Sequence, residues 1–100
     1  MTIDVQERVE EEIKITEPKL WHVIFHNDDK TTMEFVIFLL MQIFHKSVEE
    51  STEIMLTIHT KDAASAGLFT HEVAESKMNV CVNTAREHDF PLRVTIEEEK

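Results

Sequence analysis

The pattern of apolar and polar positions predicts three short strands. Apolar residues alternate with others from Leu20 to His26, and the same alternation returns from Leu92 to Ile96. Successive side chains of a strand point to opposite faces, so both stretches suit a sheet with one buried face. The apolar stretch Ala66–Phe69 predicts a third strand, and Lys61–Ser65 is expected to be a loop before it.

Apolar residues at helical spacing predict three helices between these strands. The first is expected to begin at Thr32 or Met33, because Thr31 and Glu34 have the spacing of a capping box. Ser47 and Glu50 repeat that spacing and predict a second helix, joined to the first by a tight turn. A third helix is expected to follow Thr70 and to end before Pro91, which cannot continue a helix. Its predicted buried stripe is Ala74, Met78, Cys81, Ala85 and His88.

The resulting order is β-α-α-β-α-β. We therefore predict an α+β fold, a small sandwich with three helices on one face of a three-stranded antiparallel sheet. Residues 18–100 should form this one core domain, since 100 residues suffice for a single hydrophobic core. Residues 1–17 carry many charges and no aromatic residue, so they are expected to be a disordered acidic N-terminal extension.

The net charge of the chain argues against some classes of binding partner. The chain carries −10 at neutral pH, which argues against nucleic acid and against an anionic membrane surface, because both attract basic faces. The single cysteine, Cys81, excludes an internal disulfide and fits a reducing compartment. No secretory signal is visible, and the first helix is too short to span a membrane, so a cytoplasmic protein is expected.

The turn after the first predicted strand concentrates polar acceptors beside a strongly apolar helix. Asn27, Asp28 and Asp29 offer amide and carboxylate oxygens, which suit a ligand that is cationic at one end and hydrophobic at the other. On the second predicted helix, Met55, Ile58 and His59 have the spacing of one surface patch. The competing interpretation is an ordinary solvated turn, because Asn and Asp are common turn residues.

These segments together resemble the ClpS family, bacterial N-degron adaptors of the Clp protease. The resemblance covers the chain from about Leu20 onward. The matching segments are 27–29 with Thr31, 33–36, 55–59, 67–70 with 72–75, and Pro91-Leu92. It implies a binding protein without catalysis, cofactor or metal. The implied ligands are substrates with a free α-amino group and a bulky hydrophobic first residue (Leu, Phe, Tyr or Trp). The implied partner is the N-terminal domain of a Clp AAA+ unfoldase, and a monomer is expected.

The resemblance also implies residue roles. Asn27, Asp28 and His59 would bind the α-amino group. The side-chain pocket would be formed by Thr31, Met33, Val36, Met55, Ile58 and Leu92. The unfoldase would contact Glu72, Glu75 and Lys77, and it would engage the N-terminal extension during hand-off.

Two positions depart from the family pattern. Thr32 stands where the family usually has proline, which would make the start of the first helix less rigid. Ile58 stands where valine is common, and its extra methylene would narrow the pocket and disfavour Trp. Met33 would, by the resemblance, exclude β-branched first residues.

Two other functions compete with peptide binding. One is a divalent-metal hydrolase that uses Asp28, Asp29 and His59, with His26 as a further ligand, although no known metal-binding spacing occurs. The other is a general acidic interaction domain that uses the charged extension. A Ser-His-Asp mechanism has less support, because no serine lies in a strand-to-helix elbow.

Overall fold

The computed structural model describes residues 19–100 and contains three strands and three helices. In chain order they are β1 (Trp21–His26), α1 (Met33–Phe44), α2 (Val48–Lys61), β2 (Ala63–Phe69), α3 (His71–Glu87) and β3 (Arg93–Glu98). This is the predicted α+β order, and the predicted antiparallel sheet is confirmed with β1 in the centre. The N-terminal extension lies outside the described residues.

The central strand, β1, packs its apolar face against the helices. Val23 and Phe25 are fully buried, and they join Leu39 and Leu40 of α1 in a single hydrophobic core. On the opposite face of β1, His22 and His26 are only partly exposed. The His22 Nδ1 lies 2.7 Å from Ser65 Oγ, and His26 Nε2 lies 2.8 Å from Thr95 Oγ1, so hydrogen bonds tie both neighbouring strands to β1.

Strand β2 begins earlier than its sequence predicts. The expected loop Lys61–Ser65 is wrong, because α2 extends to Lys61 and β2 begins at Ala63. Pairing with β1 extends the strand, since Ala63 lies opposite His26. A bulge interrupts this pairing near Gly67, whose φ of 149° favours glycine. An added Cβ there would also lie 3.1 Å from the ring of Phe69.

The helix starts differ in how they are capped. Ser47 and Glu50 form the predicted capping box of α2, but the box predicted for Thr31 and Glu34 is wrong. The N-cap of α1 is Thr32, whose Oγ1 accepts a hydrogen bond from Phe35 N at 3.2 Å. Thr70 occupies the N-cap position of α3 without a side-chain hydrogen bond.

The buried stripe of α3 is narrower than predicted. Ala74, Cys81 and Ala85 are fully buried, but Met78 is half-buried and His88 is exposed at the C-cap. Small residues in this row let α3 lie close to the sheet. Burial raises the pKa of the Cys81 thiol to about 12, so this cysteine behaves as a core residue. None of the described helices is long and apolar enough to cross a membrane.

Candidate functional site

Asp28 organises the turn between β1 and α1. Its Oδ1 accepts hydrogen bonds from the backbone N–H groups of Lys30 at 2.8 Å and Thr31 at 2.7 Å. A side chain that closes such a ring with the following backbone fixes the turn in one conformation. The sequence could not distinguish Asp28 from its neighbour Asp29 in this role.

The electrostatics of Asp28 follow from these contacts. Partial burial raises its pKa, but the dipole of the nearby Thr31 hydroxyl and the backbone N–H groups of Thr31 and Lys30 outweigh burial. The pKa of Asp28 therefore lies below its ordinary value, and the side chain is a carboxylate at neutral pH. Its second oxygen, Oδ2, is buried and has no hydrogen-bond partner among residues 19–100, and the same is true of Thr31 Oγ1.

A backbone hydrogen bond joins this turn to the end of α2. Asn27 N donates to the carbonyl oxygen of Asp62 at 2.8 Å, and the neighbouring residue His26 pairs with Ala63. Asp62 is the C-cap of α2, and His59 precedes it by three residues, about 4.5 Å along a helix axis. The structure therefore brings the last turn of α2, which carries His59, to the acceptor-rich turn.

Three polar side chains at this junction are exposed to solvent. Asn27, Asp29 and His59 are all exposed, and no hydrogen bond or ion pair ties their side chains to other groups in the described part of the chain. We call these three residues the rim. Asp29 is thus the accessible carboxylate of the turn, whereas Asp28 is bound to the backbone.

Most of the predicted side-chain pocket lies in the hydrophobic core. Four of the six predicted pocket residues are buried, with exposed fractions between 2% and 6%: Val36, Met55, Ile58 and Leu92. We call these four residues the floor. Of the other two, Thr31 is half-buried, and Met33 is 43% exposed at the first position of α1. Thr32, the departure from the family pattern, caps this helix with its hydroxyl.

The residues predicted for the unfoldase lie on α3 in two different settings. Glu72 and Glu75 are exposed on the helix surface. Lys77 is half-buried, and its Nζ donates to the carbonyl oxygen of Ile43 at 2.7 Å. The same ammonium lies 5.4 Å from the ring centroid of Phe44, so it stabilises the C-terminal end of α1 as well as the aromatic core.

The proposed metal ligands do not form a ligand set in the structure. Within residues 19–100, no three His, Cys, Asp or Glu side chains are grouped so that they could hold a metal ion. His26 instead bonds to Thr95 across the sheet. The hydrolase interpretation therefore has no observed geometry in its favour.

Comparison with known proteins agrees with the resemblance. Residues 16–95 match the family model described as the ATP-dependent Clp protease adaptor protein ClpS. The chain belongs to the ClpS family. A ClpS adapter protein from Lawsonia intracellularis is 51% identical over 85 residues, which are 85% of this chain and 78% of the relative. A second, from Desulfotalea psychrophila, is 45% identical over 89% of this chain and 87% of the relative.

A solved ClpS-family structure has the same fold. Agrobacterium tumefaciens ClpS2 bound to L-phenylalaninamide superposes with a TM-score of 0.80 and 34% sequence identity. The match covers 83% of this chain and all of the other chain. Membership of the ClpS family makes this protein an adaptor of the Clp protease.

Proposed function

We propose that this ClpS-family adaptor binds the free N-terminus of proteins that begin with a large hydrophobic residue and delivers them to a Clp AAA+ unfoldase. The observation that supports the proposal is the hydrogen bond from Asn27 N to Asp62 O, which joins the turn after β1 to the end of α2. In our proposal the four buried floor residues lie next to this junction. In this arrangement a ligand at the junction would meet polar acceptors and apolar side chains at once.

The rim has the chemistry needed for an α-ammonium group. Such a group presents three N–H donors and a positive charge near neutral pH. The carbonyl oxygen of Asn27 and an unprotonated nitrogen of His59 are neutral acceptors, and a carboxylate of the turn supplies the charge. Capture of an N-terminal amine is an established mode of peptide recognition.

The two carboxylates of the turn divide this task in our proposal. The family resemblance implies that Asp28 binds the α-amino group. In the structure its Oδ1 accepts hydrogen bonds from the turn, and its Oδ2 is buried. Its charge still contributes to the negative potential at the rim. Asp29 is exposed and unbound, so we assign direct contact with the ammonium to Asp29 and the ordering of Asn27 and Asp29 to Asp28.

The floor suits a large apolar side chain. Burial of a Leu or Phe side chain contributes on the order of 1.5–3 kcal/mol. L-Phenylalaninamide, the ligand of the Agrobacterium protein, has a free amine, a benzyl side chain and an amide in place of the first peptide bond. Those three groups match the rim and the floor in kind, which supports the same ligand class here.

Delivery to an unfoldase would use α3. Glu72 and Glu75 are exposed there, and Glu75 Oε2 lies 3.8 Å from His71 Nδ1. In our proposal both carboxylates meet basic groups on the N-terminal domain of the unfoldase. The ammonium of Lys77 is already hydrogen-bonded to the carbonyl oxygen of Ile43. In our proposal Lys77 therefore contributes to docking by holding α3 against the end of α1. The N-terminal extension would then be available for hand-off.

A peptide series that differs only in the first residue tests the proposal. Peptides that begin with Leu, Phe or Tyr should bind, and matched peptides that begin with Glu or Gly should bind at least about tenfold more weakly, because they leave the floor without an apolar partner. Trp should bind more weakly than Leu or Phe because of the extra methylene of Ile58. Indifference to the first residue in a calorimetric titration would refute the proposal and favour a general acidic interaction domain.

Met33 is the matched test of selectivity in the same series. It is exposed at the start of α1, where its side chain could meet the branch of a β-branched first residue. Met33→Ala should admit peptides that begin with Ile or Val, with Leu binding retained. If Ile and Val are still excluded by the variant, Met33 does not set the selectivity.

A further inference from the structure

A groove of about 520 Å³ lies between α3 and β3, and Leu92 of the floor is among its lining residues. Half-buried Met78 and Val82 contribute apolar surface, and Asn79 and Asn83 add amides. No aspartate or glutamate lines it. Apolar surface combined with polar groups suits a bound chain segment.

The groove concentrates positive charge on an acidic protein. Arg86 and Arg93 both line it, and they are the only arginines between residues 19 and 100. Neither guanidinium makes an ion pair in this part of the chain, although the whole protein carries −10. Burial and then the positive charge of Arg93 lower the pKa of His26, which lies opposite Arg93 in the sheet. The groove is therefore complementary to carboxylates.

β3 offers a free edge beside these arginines. It pairs with β1 on one side only, and the part of the chain that the structure describes provides no strand for the other side. A free strand edge presents backbone groups that an extended segment can bind. An acidic extended segment would satisfy both the edge and the arginines.

The N-terminal extension enters the domain next to this edge. Lys19 Nζ lies 3.1 Å from Glu98 Oε1, and Glu99 N donates to Leu20 O at 2.9 Å, so the extension joins the core at the end of β3. Residues 1–17 contain six acidic and two basic residues, and three of the acids are consecutive at Glu10–Glu12.

The length of the extension matches the distance to be covered. Glu12 and Lys19 are seven steps apart in sequence and would span about 23 Å if extended, at roughly 3.3 Å per step. The five steps from Arg93 to Glu98 along β3 cover about 17 Å on the same basis. We propose that Glu10–Glu12 bind Arg86 and Arg93 in this groove, with the extension alongside the free edge of β3. The adaptor would then hold its own extension against the core until a partner displaces it.

A spin label in the full chain tests this directly. Val9→Cys places the label beside the acidic run, and Cys81 stays unlabelled because it is fully buried. Amide NMR signals of residues 86 and 93 should lose more than half of their intensity at low salt. They should recover at about 0.5 M NaCl, where the Debye length is only about 4 Å, and in the double variant Arg86→Gln/Arg93→Gln.

The control is the double variant Lys46→Gln/Lys61→Gln, which removes the same charge elsewhere and should keep the broadening. Retained signal dispersion shows that each variant is folded. Full signal intensity at low salt would overturn the proposal, as would broadening that survives loss of both arginines. Broadening that disappears when labelled chains are diluted with unlabelled ones would assign the groove to a second copy and also overturn it.

Discussion

The rim and the floor of the candidate site differ in how much they contribute to the stability of the fold. Asn27, Asp29 and His59 are exposed and make no side-chain hydrogen bonds within the described residues. Every floor residue is at least 94% buried and belongs to the hydrophobic core. A substitution in the floor should therefore change both stability and binding, whereas a substitution in the rim should change binding alone.

The largest expected effect is in the floor. Met55 is 5% exposed, so Met55→Ala removes packed atoms and leaves a cavity. The free energy of unfolding should fall by about 2–5 kcal/mol, and binding of a Leu-peptide should weaken as well. Urea denaturation and calorimetry on the same samples measure both. A change of less than about 0.5 kcal/mol in unfolding would show that Met55 is not a core residue.

The rim should show the opposite behaviour. Asp29→Asn removes the accessible charge and should weaken binding of a Leu-peptide by about 1.5–3 kcal/mol, the range for a hydrogen bond to a charged group. Its free energy of unfolding should stay within about 0.5 kcal/mol of wild type. Glu53→Gln, an equal charge change on the exposed surface of α2, is the control and should bind normally. Unchanged affinity in Asp29→Asn would remove Asp29 from the site.

Substitution of Asp28 should have an effect on stability between those of the floor and rim substitutions. Its folded-state pKa is below the usual value of 3.8, so the stability that its charge contributes is present above pH 3.8. That contribution is lost as the pH falls through the lower, folded-state pKa. Asp28→Asn keeps an acceptor for the turn but does not titrate, and should be less stable than wild type by about 1 kcal/mol near neutral pH.

The pH dependence is the discriminating measurement for Asp28. The stability difference between wild type and Asp28→Asn should shrink as the pH falls below 3.8. A difference that stays constant across that range would mean that the charge of Asp28 does not stabilise the turn.

The smallest effect concerns a polar atom on the same side of α2 as the floor. Ser51 precedes Met55 by one helical turn, is fully buried, and its Oγ has no hydrogen-bond partner among residues 19–100. Because a buried unpaired hydroxyl costs stability, Ser51→Ala should be neutral or stabilise by up to about 1 kcal/mol. Ser47→Ala removes a formed cap and should instead destabilise by about 1 kcal/mol. Destabilisation by Ser51→Ala as large as that of Ser47→Ala would show that the Ser51 hydroxyl is satisfied in solution.

Local sequence patterns predicted the order of the strands and helices, but they did not predict every boundary of these elements. Alternation in β1 and β3 and the capping box at Ser47 are local signals, and the structure confirms them. The segment Ala63–Ser65 has little β propensity of its own and becomes a strand because β1 pairs with it. Long-range pairing of this kind leaves no mark in a short window of sequence.

The residues of the candidate site could be proposed from the sequence, but their individual contacts could not. Spacing placed Met55, Ile58 and His59 on one patch, and turn chemistry placed the acceptors at 27–29. The sequence could not show which of the adjacent carboxylates of Asp28 and Asp29 accepts hydrogen bonds from the backbone. It also could not show whether Thr31 or Thr32 caps α1. The contact of Lys77 with Ile43 depends on residues 34 positions apart, which no local pattern contains.

Capture of the free α-amino group is the central claim, and blocking that amine tests it most directly. A Leu-peptide and its Nα-acetylated form should be titrated into the wild-type protein by calorimetry under the same conditions. Acetylation removes the charge and two of the three donors, so the acetylated peptide should bind at least about tenfold more weakly, a loss of 1.4 kcal/mol or more. Equal affinity of the two peptides would contradict the account.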